Sequence, residues 1–528
     1  MKSRTLLAVS CCLVVVLAAV SAAGRQAIPV GASVRQVAYL HGSNTEGSDH
    51  LGCGGSLPGH TGNAVALSGD GTTVVVGAPH ESSAARGING NQNDNSMYNA
   101  GAVYVLVLRN GAWTQQAYIK VSNAGRNDMF GLTVALSRDG NTLVVAAPWE
   151  SSAATGVNGR QDDDSLPQAG AVYVFTRAGG TWSQQAYLKA SNTGRKGQGD
   201  DVEGDQFGFS IAVSADGNTI AAGAISEDSG SKGLNGTQQD DAASSAGAVY
   251  VFSRNGSAWT QQAYVKSANN EAGDLFGYGV ALSGNGNAMA VAAYDEDGTG
   301  RSVNPPDDNG NPGTGAIYAF ERNGTAWRQT GYFKGSRSQR NDALGYTVAI
   351  SADGDTIAGG AGEEGCLVGG VNPQGCDVET FPSTLAAGSV GAVYVWTKAG
   401  TEWREQAFLK PAMPDLEDWF GVRLALSADG NTLLAGASME DSAATGVNGP
   451  QDDDSAQDSG AAYLFTRSAG MWRQHTYVKA ANSEAFDEFG VSVALSGDGR
   501  RLVVGARAEA GPDNATPEAG AAYVFAVN

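Results

Sequence analysis

Gly170-Ala171-Val172-Tyr173-Val174-Phe175 is the segment on which the reading of this chain turns. Successive side chains of a strand point to opposite faces, and here both faces are apolar, as in a sheet covered on both sides. The segment returns with small changes at Gly101, Gly247, Gly315, Gly391, Gly460 and Gly520. Working outward, each copy follows a run such as Phe130-Gly131-Leu132-Thr133-Val134-Ala135-Leu136-Ser137, a short turn, and an apolar run such as Thr142 to Ala147. Behind it comes a fourth run, Trp182-Ser183-Gln184-Gln185-Ala186-Tyr187-Leu188-Lys189 in this copy. The turn after the first run is Asp-Gly in six units and Asn285-Gly286 in the other, dipeptides that accept positive φ and favour tight hairpins.

Seven units of four short antiparallel strands predict an all-β chain closed as a seven-bladed β-propeller. The seventh unit stops at its third run, Gly520 to Phe525, and has no fourth. A matching run stands at the other end of the chain, Val34-Arg35-Gln36-Val37-Ala38-Tyr39-Leu40-His41. The N-terminal strand is therefore expected to complete the last blade and cover its exposed edge. The Trp of the fourth run (Trp113, Trp182, Trp259, Trp327, Trp403 and Trp472) suits packing in the wide outer spaces of a ring better than sugar stacking.

This organisation sorts the loops. Connections between strands 1 and 2 and between strands 3 and 4 are tight turns on one face. Connections between strands 2 and 3 mostly run to about twenty residues, a length that is uncommon without a function, and they share the other face with the 4–1 connections. Of 54 Asp and Glu, 28 fall in the 2–3 loops and 16 in the 4–1 loops. One face is elaborated and acidic. A Glu follows strand 2 in every unit: Glu81, Glu150, Glu227, Glu296, Glu364, Glu440 and Glu509. An Asp precedes strand 1 in six: Asp128, Asp205, Asp274, Asp342, Asp418 and Asp487. These thirteen form a candidate acidic-face ring, solvated or holding cations. The alternative is that each caps backbone N–H groups of its own turn.

Two loops repeat Gly-Val-Asn-Gly followed by an acidic run, with Asp162, Asp163 and Asp164 in one and Asp452, Asp453 and Asp454 in the other. Hard oxygen ligands of this kind suit Ca²⁺, although the regular ligand spacing of a calcium loop is missing. His50, His60 and His80 fall with Cys53 in first-blade loops, where mixed N and S donors suit a transition metal but nothing in their spacing fixes a geometry.

The net charge of −21 argues against nucleic-acid partners, which need basic patches. Lys2 and Arg4 before the apolar run Leu6–Val20, with small residues at Val20-Ser21-Ala22, read as a secretory signal over residues 1–23. The run is short for a membrane span of ~20 residues. A leader over 24–33 and the propeller over 34–528 follow, with no transmembrane helix in the mature chain. Export would place the chain outside the cell, at its surface or in the periplasm. In an oxidising compartment Cys366 and Cys376, which flank a Gly-rich stretch, are expected to form a local disulfide, leaving Cys53 as the odd cysteine.

Phe130-Gly131 followed by Ala146-Ala147-Pro148, and Gly77-Ala78-Pro79 in the first unit, resemble the FG-GAP repeats of integrin α-chain propellers. The resemblance covers residues 34–528. It implies a seven-bladed propeller, extracellular placement and partner binding through the loop-rich face. Some repeats of that family bind Ca²⁺ in an Asp-rich loop between strands 1 and 2. Here that loop is only Ser137-Arg138-Asp139-Gly140-Asn141-Thr142 and its equivalents, too short for the family's metal site. The chain looks like a stand-alone propeller of the exported bacterial type. No catalytic constellation is evident. The expectation is a monomeric binding or adhesion module for an extracellular or cell-envelope protein or glycan. The alternatives are a polysaccharide-active enzyme using loop carboxylates and a structural envelope or matrix protein.

Overall fold

The computed structural model describes residues 28–29, 31–53, 62–194, 203–376, 388–511 and 514–528. The expected signal segment, part of the leader and His60 lie outside them. The described residues form seven sheets, each of four antiparallel strands, in sequential order in six of them and with the N-terminal strand as the outer strand of the seventh. In blade 2 the strands are Val134–Leu136, Thr142–Ala147, Ala171–Ala178 and Thr181–Leu188. The second strands are the most deeply covered: all six residues of Thr142–Ala147 are buried. The third strand carries a Tyr that is at most 1 % exposed in every blade (Tyr104, Tyr173, Tyr250, Tyr318, Tyr394, Tyr463 and Tyr523). In five blades that Tyr packs against the Phe of the Phe-Gly pair, as Phe130 does on Tyr173 with ring centroids 5.7 Å apart.

The last blade closes as expected. Val34–Leu40 pairs antiparallel with Ala521–Val527, with Tyr39 opposite Tyr523. Those two rings meet edge to face at 5.2 Å.

The Gly that opens each third-strand segment is there because the next blade comes close. Gly170 has φ 78°, and a Cβ placed on it would lie 2.1 Å from the carbonyl oxygen of Phe207 in blade 3. Around the axis the 1–2 turns are joined by main-chain hydrogen bonds, one per blade. Gly69 N–H donates to Arg138, Arg138 to Ala215, Ala215 to Gly284, Gly284 to Ala352, Ala352 to Ala428, Ala428 to Gly497, and Gly497 back to Gly69. This circle of seven bonds is closed.

The fourth-strand Trp residues belong to seams between blades. Trp182 Nε1 and Arg177 Nη1 both donate to Gln116 Oε1 of blade 1, each at 3.0 Å. Arg177 also lies over the Trp182 ring, 5.2 Å from its centroid. The same latch joins Trp259 and Arg254 to Gln185, Trp327 and Arg322 to Gln262, and Trp472 and Arg467 to Gln406. It is missing between blades 4 and 5. There Thr330 stands where Gln is found, Lys398 replaces the Arg and pairs with Glu321, and the buried Trp403 Nε1 has no partner. Substituting Thr330→Gln supplies an acceptor to a buried donor. Calorimetry should show a gain of ~1 kcal/mol, the net value of one such bond; a loss of stability would mean that the seam is already optimally packed.

Candidate functional site

The loop lengths divide the faces as expected. Within blades 1 to 6 the third and fourth strands are separated by two residues, as between Ala178 and Thr181, whereas the 2–3 loop of blade 2 runs from Ala147 to Ala171. These long loops are pinned. In the Gly-Val-Asn-Gly stretch of blade 2, Asn158 adopts φ 55°, donates its N–H to Tyr187 O at 2.7 Å and accepts the Tyr187 N–H on Oδ1 at 3.0 Å. Val157 bridges Leu188 of the fourth strand. Equivalent Asn residues in five other blades are Asn89, Asn235, Asn304, Asn372 and Asn448. The motif thus has a structural reason: it staples each loop to the outer strand of its own blade.

The candidate acidic ring is corrected by burial. All seven Glu are at most 4 % exposed. Glu150 accepts the Tyr187 hydroxyl on Oε1 and the Lys189 ammonium on Oε2, both at 2.8 Å, and Lys189 is itself fully buried. The pair recurs as Glu81–Lys120, Glu227–Lys266, Glu296–Lys334, Glu364–Lys410 and Glu440–Lys479. In blade 7 His41 stands at the Lys position, and Glu509 accepts Tyr523 at 2.7 Å, Tyr39 at 3.4 Å and Asn482 at 3.1 Å. Burying a carboxylate costs several kcal/mol unless it is paired and hydrogen-bonded, and each blade carries the partners that do this. The Glu set ties strand 2 to strand 4.

The Asp set is buried too, at 2–5 % exposure. Asp128 Oδ2 accepts Gly125 N–H at 2.7 Å, and Asp274, Asp342, Asp418 and Asp487 accept the N–H three residues earlier in the same way. Asp205 is as deeply placed, but its Oδ2 has no partner. A seventh member escaped the sequence pattern. Asp49, which accepts Glu46 N–H at 3.0 Å, precedes Leu51-Gly52 where the other blades but one have Phe-Gly. Each of these carboxyls lies within the influence of its own blade's Glu, and in blades 1 to 6 the Lys is already engaged with that Glu. Burial first, and the neighbouring carboxylate after it, push their pKa values up. Asp49, Asp128 and Asp487 rise to about 7, and Asp205, Asp274 and Asp418 to about 8. Asp342 moves in the same direction.

Subtracting these 14 carboxyls from the 44 in the two loop sets leaves 30, so the elaborated face remains acidic. Asp162, Asp164, Asp452, Asp453 and Asp454 are exposed and Asp163 is half-buried. Several are turned to local partners: Asp163 and Asp453 accept Ser165 and Ser455 N–H at 3.1 and 3.2 Å, and Asp162 meets Arg160. Among the described residues no group of three or more His, Cys, Asp or Glu side chains is arranged to hold a metal ion. The His50 and His80 rings do meet, at 4.6 Å, and His50 Nε2 lies 3.7 Å from Glu518. Cys366 and Cys376 are joined in a disulfide, and Cys53 is a buried thiol. A rim groove of ≈ 470 Å³ between blades 1 and 2, lined by Ile88, Ser122, Phe175 and Gln184, holds no titratable side chain. Among the described residues no helix is long and apolar enough to cross a membrane.

The FG-GAP repeat family matches residues 113–175, 259–320 and 472–525. Each match runs from the fourth strand of one blade through the third strand of the next. No curated protein matches the sequence. Solved structures of similar shape include a putative 6-phosphogluconolactonase from Bacteroides uniformis (11% identity, TM-score 0.44, covering 79% of this chain and 85% of that one). Kuenenia stuttgartiensis hydrazine synthase is comparable (12%, 0.43, 85% and 93%), as are the RRP9 WD40 repeats (9%, 0.46, 95% and 99%). At such scores none of them informs function. The three matched repeats, set into a ring of seven four-stranded blades that closes through its N-terminal strand, identify this chain as an FG-GAP repeat propeller.

Proposed function

We propose that this chain is an exported recognition module that binds an extracellular or cell-envelope protein or glycan through its loop-rich face. One observation carries the reading: long loops, each stapled to its own blade, and the carboxylates not used inside the blades share one side of the disc, while the other side is trimmed to tight turns. A rigid scaffold presenting loops in this way is the common arrangement for recognition. Export is supported by the N-terminal basic and apolar segments and by the Cys366–Cys376 disulfide, a bond of oxidising compartments. An enzyme is less well supported, because the buried carboxylates recur in equivalent positions, whereas an active site needs a local break in the repeat.

The test is retention of a partner from the native extracellular milieu by the immobilised mature protein, with Ca²⁺ and with chelator. Grafting the shortest 2–3 loop, Arg507 to Ala519, into the other blades should abolish retention while leaving the melting transition in place. Retention unchanged by the grafts would locate binding off this face. Polysaccharide cleavage lost on one carboxylate substitution would replace the reading with an enzymatic one.

A further inference from the structure

Two residues after the Gly of the Phe/Leu-Gly pair, the first strands carry a small residue in most blades: Thr133, Ser210, Gly279, Thr347 and Ser492. Where it is a hydroxyl it can bond to the next blade. Thr133 Oγ1 donates to Phe209 O at 3.2 Å, Ser210 Oγ to Gly277 O at 2.6 Å, and Ser492 Oγ to Gly52 O at 2.6 Å. Blade 6 has Arg423 at this position, and its side chain is buried. The guanidinium reaches blade 1, two places round the ring. Nε donates to Gly62 O of blade 1 at 3.1 Å, and Nη1 donates to its own Val422 O at 2.6 Å. Tyr346 of blade 5, Tyr278 of blade 4 and Cys53 of blade 1 are close enough to interact with its charge. The first strands surround the axis, so a side chain that leaves blade 6, bonds to blade 1 and has tyrosines of blades 4 and 5 within electrostatic range lies across the axis.

The opposite wall is also out of step with the repeat. Tyr278 stacks on Tyr294 at 4.6 Å, meets Phe209 at 5.2 Å and meets Tyr346 at 5.8 Å. Trp419 of blade 6 extends the series, 5.7 Å from Tyr346. A guanidinium beside aromatic rings is favoured by the ring quadrupole, and more so when both are desolvated. Its planar fork also lets one side chain bond to several carbonyls at once.

We propose that Arg423 plugs the axial channel at the loop-rich mouth, holding the aromatic wall of blades 3–5 and the Cys53 corner of blade 1 around one guanidinium. The channel is then sealed to solutes on that side, and whatever the face recognises meets loop surfaces, not an axial hole. The inference does not depend on the recognition role proposed above, because its test involves no partner.

Cys53 supplies the readout: it is fully buried and within electrostatic range of the Arg423 guanidinium. Arg423→Thr installs the residue that blades 2 and 5 carry at this position, so the backbone accepts it. Labelling of Cys53 by a thiol reagent, measured well below the melting temperature, should quicken roughly tenfold or more in R423T, equivalent to ~1.4 kcal/mol in local opening. Millimolar methylguanidinium should slow labelling again in R423T and leave the wild type unaffected. Arg423→Lys, which keeps a cation but not the fork, should fall between the two and provides the comparison if R423T does not fold. Unchanged labelling in both variants, or faster labelling that methylguanidinium fails to slow, would overturn the proposal.

Discussion

Removing residues 24–44 abolishes cooperative melting: that is the expected result of truncating this chain, and its physical basis is the shared seventh blade. Val34–Leu40 supplies the outer strand of that blade, and its loss bares the edge of Ala521–Val527. The segment also crosses two seams. Gln36 Oε1 accepts Ala481 N–H from the blade 6–7 connection at 3.0 Å. Beyond the strand, Asn44 donates to Glu81 Oε1 at 3.2 Å and accepts the Tyr104 hydroxyl at 2.5 Å, both in blade 1. A ring without this strand becomes an open arc with an unpaired edge, which invites association. Calorimetry should show a broadened, weak transition and light scattering should show aggregation. A synthetic peptide of residues 31–44 should restore a sharp transition when added in trans. A truncated chain that melts like the intact one would show that six complete blades and one three-stranded blade suffice.

The second large effect is with pH. Seven buried Asp carboxyls hold their protons more tightly in the folded chain than in the unfolded one. Each therefore contributes stability that is fully present below its ordinary pKa of 3.8 and is lost as pH rises through its folded value, about 7 to 8 for six of the seven. Three histidines act in the opposite sense. Burial lowers His50 and His80 to about 4, and also lowers His475, so their penalty is relieved as pH rises towards 6.5. Seven sites outweigh three below pH 6.5, and only the seven remain above it. The turn carboxyls add a further limit on the acid side. Asp139, for example, is held below its ordinary value by Ser137 and Asn141 against the effect of its partial burial, so that contribution fails in stronger acid. The melting temperature should therefore be highest in moderately acidic buffer and fall most steeply between pH 6.5 and 8. One proton of difference is worth ~1.4 kcal/mol per pH unit at most. Asp418→Asn keeps an oxygen for the Asp415 N–H but removes the titration, so its melting temperature should fall less over the same interval. A flat or rising profile in the wild type would contradict the account.

The sequence made the ring legible where repetition is strictest. Gly-Ala-Val-Tyr-Val-Phe recurs because both faces of each sheet are covered and the neighbouring blade leaves no room for a Cβ at its Gly. The missing fourth run and its copy at Val34–His41 gave the closure. The Glu set was harder to read. A loop Glu looks solvated, and Lys189 at a strand end looks solvated as well. The joint signal was their co-occurrence: the six blades with a Lys at the end of the fourth run have the buried pair, and the blade with His41 does not. Asp49 was hidden by a Leu in place of Phe at residue 51 and by the longer stretch before strand 1 in its blade. The axial mouth was invisible for the opposite reason: Arg423 and Trp419 each occur once, an aromatic follows the Gly only at Phe209, Tyr278 and Tyr346, and residues that break a pattern look like noise until the turns of the chain bring them together.

The circle of hydrogen bonds through Gly69, Arg138, Ala215, Gly284, Ala352, Ala428 and Gly497 is made wholly of main-chain atoms. Nearly any amino acid supplies the same amide, so the bonds themselves do not depend on side-chain identity; proline, which has no N–H to give, is barred from all seven places, and a Cβ at Gly69 would come 2.3 Å from Arg138 Cγ. Circumference is thus fixed by how many turns stand shoulder to shoulder, and a lineage adding or losing one module would have to redraw the whole hub at once.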